Sequence, residues 1–422
     1  MQELITLSRR DVFQRTLRKT AQMGQHDWPV WMPRMAFAEK NQAPKGDVLV
    51  CIFLRGGADG LNIIVPHGDD AYYKSRPKIA IARPDQQSAD KNQKALDLDG
   101  FFGIHPALAS LLPFFQANQI VAVHATGSPD PTHSHFEAMD YMERGTPGSF
   151  SLNTGWIGRH LASLDTGTNA ALRAIGWGGT LQQSLRGSVN AIALDSILDY
   201  HLRGRDGVGD QMVTVLNTLY ALDLASLKES ADQTNAVLNI VKKINISSYR
   251  GTHGANYDPN NYFHMALMQT AALVKADVGL EVSAIDLGGW DTHQNQLTDQ
   301  AGALTRLASG LSNFATDMDV LMKKVTIVIM SEFGRRVAEN ASAGTDHGHG
   351  NMMMVMGGNV VNKPVIAQWP GLADDKLADG DLTITIDYRD VLSEILIKRL
   401  NNPQVNNVFP NFTPTTRGII LS

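Results

Sequence analysis

Residues 48–60 read VLVCIFLRGGADG: an unbroken apolar run, Val48 to Leu54, handing over through Arg55 to a glycine turn that holds Asp59. A strand whose residues are apolar on both faces has no side to give to water. It belongs inside a parallel sheet covered by helices, not in a half-exposed hairpin. The same grammar returns at Ile120–His124, followed by ATGSPDPTHSH, and at Leu280–Asp286, followed by LGGWDTH. A fourth copy, Val325–Met330, is followed by SEFGRR, and the Met352–Met356 run reads as a further buried strand.

Helical patterns fill the intervals. Leu297, Ala301, Leu304, Leu307, Leu311, Phe314, Met318 and Leu321 step by three and four, which places them on one face of a long amphipathic helix. Ala107, Leu108, Leu111, Leu112 and Phe115 repeat the pattern after His105-Pro106, where proline suits a first helical turn. Val391, Leu392, Ile395, Leu396 and Leu400 give a C-terminal helix. Strands alternating with helices predict an α/β chain, a mostly parallel sheet with helices on both faces. Between about residues 190 and 277 strand signals vanish and helical ones take over, Leu216, Leu219, Tyr220 and Leu224 among them. That stretch is expected to be a helical insertion on a single domain spanning 46–422.

Composition narrows the chemistry. With 422 residues, 43 % hydrophobic and 19 % charged, the chain has the make-up of a globular protein and not of a disordered or fibrous one. A net charge of −5 without a long basic block argues against a nucleic-acid partner, and no apolar run is long enough for a transmembrane segment. Cys51 is the sole cysteine, so an intramolecular disulfide and a thiolate cage are excluded. A metal site would have to use His, Asp and Glu, which suit zinc, manganese, magnesium or calcium.

Ligands bind open parallel sheets outside the carboxyl ends of the strands, and there the polar residues gather. The loops carry Asp59; Thr132, His133, Ser134 and His135; Asp291 and His293; Glu332; and, in GTDHGHG, Asp346, His347 and His349. Several loops bringing His, Asp and Glu to one edge make a metal-site pattern, because such ions collect ligands from several elements. Alternatives remain open residue by residue: Asp291 as a helix cap, Asp59 as a turn residue, Glu332 as ligand, base or ion-pair partner. Ser134, with Thr132 behind it, is the candidate nucleophile at a helix start, unless a metal-activated water replaces it. Arg55, Arg335 and Arg336 are candidates to hold an anionic ester.

The first 45 residues raise the question of address. SRRDVF at 8–13 resembles a twin-arginine export signal and Ala36-Phe37-Ala38 a cleavage site, but the apolar segment between them is missing. Both a periplasmic destination and a cytoplasmic one with an N-terminal arm are compatible with this reading.

Longer motifs carry a family resemblance. LRGGADGLNIIVPHGDDAYYKSRP, FFGIHPALASLLPFF, GSPDPTHSHFEAMDYMERG, DLGGWDTHQNQ, SEFGRRVAENASAGTDHGHGNMMMVMGGNV and DYRDVLSEIL resemble the bacterial domain-of-unknown-function 1501 family, in order, from about residue 46 onward. That family is similar to the alkaline phosphatase and sulfatase superfamily. The resemblance implies a three-layer α/β/α sandwich, a divalent-metal site at the carboxyl edge, and a small anionic ester or glycan-type substrate. It implies Asp59 as the first ligand, Ser134 or Thr132 as nucleophile, Asp291 with His293 as a ligand pair, and the DHGH segment as the last. One position departs: Ser331-Glu332-Phe333-Gly334 stands where the superfamily has Ser-Asp-His-Gly, and Phe333 cannot coordinate a metal. A non-catalytic binding or assembly protein on an altered fold is the alternative the departure raises.

Overall fold

In the computed structural model the described residues are 46–90, 93–164, 172–187, 191–197, 237–238, 240, 244 and 246–421. The export-like segment, His201 and the 216–224 helical pattern lie outside them. Among the described residues nine strands form one sheet: β1 (Val48–Arg55), β2 (Ile120–Gly127), β3 (Ala174–Trp177), β4 (Ala191–Leu194), β5 (Val282–Gly288), β6 (Val325–Ser331), β7 (Asn351–Gly357), β8 (Val365–Ile366) and β9 (Ile386–Asp387). Their spatial order is β8-β2-β7-β6-β1-β5-β3-β4, with β9 also on β2. Every pairing is parallel except the two made by β7, which runs against both β2 and β6.

The alternation of β1 shows why the sheet is covered on both sides. Val48, Val50, Ile52 and Leu54 face one layer, with Phe263 and Leu267 of α3 (Tyr262–Lys275) and Leu304, Leu307, Leu311 and Phe314 of α4 (Gln296–Met318). Leu49, Cys51 and Phe53 face the other, with Met142 of α1 (His135–Arg144), Trp156, Ile157 and Leu161 of α2 (Trp156–Ser163), and Val391, Leu392 and Ile395 of α5 (Tyr388–Lys398). This is the three-layer α/β/α sandwich around a mostly parallel sheet that the sequence predicts. Cys51 is a buried free thiol within that second core.

Two details differ from the sequence reading. The short strands β3 and β4 extend the sheet to an edge, and β4 falls where strand signals were weakest. Four residues are too few for a periodicity to register. The segment after His105-Pro106 opens as a 3-10 turn, Pro106–Leu111, before the short α-helix Leu112–Gln116, with His105 Nδ1 accepting from the Ala107 amide at 3.0 Å. Among the described residues, no helix is long and apolar enough to cross a membrane.

Candidate metal centre

The reversal of β7 positions the site. The loops after β1, β2, β5 and β6 leave the carboxyl edge of the sheet. Because β7 runs the opposite way, the 344–350 loop that precedes it meets them at that same edge. A short antiparallel ribbon docks it there: Gly334 and Arg336 amides donate to His349 and Asp346 carbonyls at 2.9 and 3.0 Å, and Gly348 donates back to Gly334 at 3.0 Å. The approach is too close for side chains, since a Cβ on Gly344 would lie 2.3 Å from the His293 carbonyl carbon, and one on Gly348 2.3 Å from that of Arg335. Glycine at these positions is therefore a requirement of contact.

Four side chains converge. Oδ1 of Asp291 lies 3.1 Å from His293 Nε2, 3.2 Å from His347 Nε2 and 3.5 Å from His135 Nε2. His293 Nε2 and His347 Nε2 are 3.0 Å apart. Donor atoms of His135, Asp291 and His347 all lie within 4.8 Å of one another. The separations about Asp291 Oδ1 and between His293 and His347, 3.0–3.5 Å, approach those of donors about 2.1 Å from a shared ion, roughly 3.0–3.4 Å apart, and His293 joins the group of His135, Asp291 and His347 through Asp291 and His347.

The opposite nitrogens explain why the Nε2 atoms face inward. Each Nδ1 meets an acceptor: Glu332 Oε1 at 2.8 Å for His135, the His133 carbonyl at 2.9 Å for His347, and Asp346 Oδ1 at 3.2 Å for His293. An ion at Nε2 needs the ring proton on Nδ1, and in each ring an acceptor stands there to take it. Bare nitrogens at 3.0 Å repel unless a proton or a cation sits between them. His135 Nε2 is moreover buried without a hydrogen-bond partner among the described residues, which a native site tolerates only for a reason. The donor set fits a divalent ion.

Supporting groups hold this arrangement. Burial works against the Glu332 carboxylate, but bonds from His135, backbone amides and Ser331 outweigh it and keep its pKa below the usual range. That carboxylate accepts from the Gly56 amide at 2.8 Å and Ser331 Oγ at 2.9 Å besides His135, and it raises the His135 pKa in return. Burial would also raise Asp291, yet the Arg335 guanidinium and the neighbouring histidines hold it low. Asp346 is lowered by Asn340 first and then by His293, and burial lowers His347. The Phe333 ring, itself buried, forms an apolar wall 4.8 Å from the His135 ring and 5.0 Å from that of His347.

The other candidates lie elsewhere. Asp59 is fully buried and held by Arg76, at 2.5 Å and 3.0 Å through its two oxygens, so it closes the core under the first turn and is not part of the cluster. His349 Nε2 reaches the carbonyls of Ser128 and Asp130 at 2.8 and 3.0 Å, tying down the loop after β2. His133 meets the buried Asp381 at 3.1 Å. Of the three arginines offered for an ester anion, Arg55 and Arg335 are engaged within the fold. Arg55 is bound by Glu143 at 3.0 Å and Asp286 at 2.8 Å. Arg335, fully buried, spends its donors on the carbonyls of Gly56, Gly57, Trp290 and Thr345 and on Asp291. A buried guanidinium has to satisfy its donors inside the fold, so Arg335 is the knot joining four loops. Arg336 is half-exposed, its Nε 3.5 Å from Asp381.

Ser134 is the N-cap residue of α1, but its hydroxyl makes no capping bond. Thr132 Oγ1 donates to Glu137 at 2.8 Å and accepts from the Ser134 amide at 3.2 Å, a local brace for the same turn. Asp291, by contrast, caps nothing, because α4 begins after Asn295. The sequence could not reveal that Glu332 faces His135 across 197 positions; its place just after a buried strand was the available signal.

Several solved structures are similar to the chain. Lipoteichoic acid synthase LtaP from Listeria monocytogenes is 9 % identical over 77 % of this chain and 68 % of its own, with a TM-score of 0.34. A protein in the alkaline phosphatase superfamily from Vibrio parahaemolyticus is 9 % identical over 79 % of this chain, which spans 64 % of that one, with a TM-score of 0.31. The C-terminal periplasmic domain of EcEptC from Escherichia coli, in complex with Zn, is 9 % identical over 91 % and 92 % of the two chains, with a TM-score of 0.35. No curated protein matches the sequence. The model of the family described as protein of unknown function (DUF1501) matches residues 47–405, and the chain belongs to that family.

Proposed function

We propose that the chain is a metal-dependent hydrolase of phosphate or sulfate esters, working at the carboxyl edge of the sheet. The observation that carries this reading is the convergence of three imidazole Nε2 atoms and one carboxylate at the carboxyl edge, open to solvent on the side of Asp291 and His293. The Asp291 and His293 side chains are 49 % and 42 % exposed, so a substrate can approach, and with four protein donors the ion would take it as a fifth ligand. His135, Asp291, His293 and His347 would hold the ion, which when bound supplies Lewis-acid stabilisation of charge developing on the ester oxygens. Glu332 and Asp346 keep their histidines turned inward. Ser134, next in sequence to His135 and with no capping bond on its hydroxyl, would be the attacking group, and Phe333 would exclude water from beneath the imidazoles.

A second reading, a binding or assembly protein on this fold, is favoured by one observation: Arg55 and Arg335 are both engaged, leaving neither for an ester anion. Turnover separates the two. Purified chain is assayed on aryl phosphates and aryl sulfates with zinc, manganese, magnesium and calcium in turn. The hydrolase reading expects metal-stimulated turnover that His347→Ala abolishes. Full metal occupancy without turnover of either class would sink it in favour of the binding reading.

A further inference from the structure

The donor set and its charges say how many ions the site takes and of what class. Three neutral imidazoles contribute nitrogen and no charge; Asp291 contributes one negative charge. The other carboxylates of these loops have partners of their own, although both bonds to Asp346 fall on Oδ1. Glu332 accepts from His135, Gly56 and Ser331. Asp346 accepts from His293 at 3.2 Å and Asn340 at 3.1 Å, Asp59 is paired with Arg76, and Asp381 faces His133 and Arg336. A second dication beside Asp291 would need further anionic ligands. Instead, the Arg335 guanidinium stands 2.6 Å from Oδ1 of Asp291, and the Phe333 ring walls off His135 and His347. A cation and a hydrocarbon occupy the flanks where more ligands would have to stand.

We infer that the cluster binds a single divalent ion through Nε2 of His135, His293 and His347 and the carboxylate of Asp291, and that it selects a transition metal over magnesium or calcium. Imidazole nitrogen suits zinc, cobalt, nickel and iron, while magnesium and calcium are hard ions that demand oxygen shells. The inference rests on the metal-site part of the proposed function and is independent of whether an ester is cleaved.

The test is calorimetric titration of chelator-stripped full-length chain with Zn²⁺ and, separately, Mg²⁺, with a visible absorption spectrum of the Co²⁺-loaded protein. One equivalent of zinc is expected, bound roughly a thousandfold or more tighter than magnesium, together with a Co²⁺ spectrum characteristic of nitrogen ligands. His347→Ala and the more exposed His293→Ala should each weaken zinc by at least about a hundredfold, with far-ultraviolet circular dichroism reporting that the variants fold. His253→Asn, outside the site, should bind as the parent does. Two equivalents of zinc, comparable affinity for magnesium, no binding, or folded His293→Ala with parental affinity would each overturn the inference. Because no arm reads turnover, one tight zinc without hydrolysis refutes the hydrolase reading alone, and hydrolysis with two ions or with magnesium refutes this inference alone.

Discussion

Glu332→Gln probes how the site is set, because it changes charge at nearly constant shape. Oε1 can still accept from Gly56 and His135, and the new amide meets Ser331 Oγ, which already has the Leu54 carbonyl as an acceptor at 2.7 Å. What is lost is the charge assistance on the 2.8 Å bond to His135 Nδ1. Hydrogen bonds to charged groups are worth about 1.5–3 kcal/mol and neutral ones about 0.5–1.5, so the loss is about 1–1.5 kcal/mol. Each 1.4 kcal/mol is a factor of about ten, and losing an orienting partner typically costs 10–100-fold in metal affinity. Zinc should therefore bind about tenfold more weakly to the variant, measured by competition with a chromophoric chelator. Thermal unfolding of the metal-free protein should change by no more than about 2 kcal/mol, since removing a buried charge also relieves its desolvation. Zinc affinity within twofold of the parent in a folded variant would refute the idea that the Glu332 charge strengthens His135 as a ligand.

Three further outcomes follow from named contacts. Arg76→Met strands the buried Asp59 carboxylate and should cost about 3–5 kcal/mol of stability in denaturant unfolding, whereas Asp59→Asn should leave zinc stoichiometry unchanged; loss of zinc from folded Asp59→Asn would return Asp59 to the ligand set. Burial pushes the pKa of His160 down to about 3, and those of His105 and His124 down to about 4. These folded values lie below the unfolded value of about 6.5, so protonation favours unfolding. There is no penalty above about pH 6.5, and at pH 5 each group costs about 2 kcal/mol, growing as pH falls toward the folded values. Metal-free stability measured from pH 7.5 to 5 should fall accordingly, and a flat profile would contradict the burial of these rings. Phe333→Ala should cost about 3–5 kcal/mol by opening a cavity beneath the imidazoles, read by denaturant unfolding; a loss below about 1 kcal/mol would mean that the ring is not a packed wall.

How much of this was written in the sequence depends on whether the signal was local. The buried strands β1, β2, β5 and β6 and helix α4 declare themselves through uninterrupted apolar runs and three-four spacing. The loops that follow them supplied Asp291, His293, His135 and His347 as candidates before any contact was known. What periodicity does not encode is which buried charge answers which. Arg55 and Arg335 look like free cations in a string of residues, and only the fold shows that Glu143, Asp286 and a ring of carbonyls claim them. Asp59 was indistinguishable from a ligand until Arg76, 17 positions on, closed over both its oxygens. Phe333 reads as a missing ligand in the sequence; in the structure it has a positive role, as the surface on which two imidazoles pack.

The central claim is that three histidines and Asp291 form one metal centre, and anomalous diffraction from crystals grown with zinc tests it most directly. A single strong peak should appear within about 2.0–2.2 Å of Nε2 of His135, His293 and His347 and of an Asp291 carboxylate oxygen. A fully occupied peak at Asp59, His349 or the His133–Asp381 pair with none among those four residues, or no peak in zinc-saturated crystals, would contradict it.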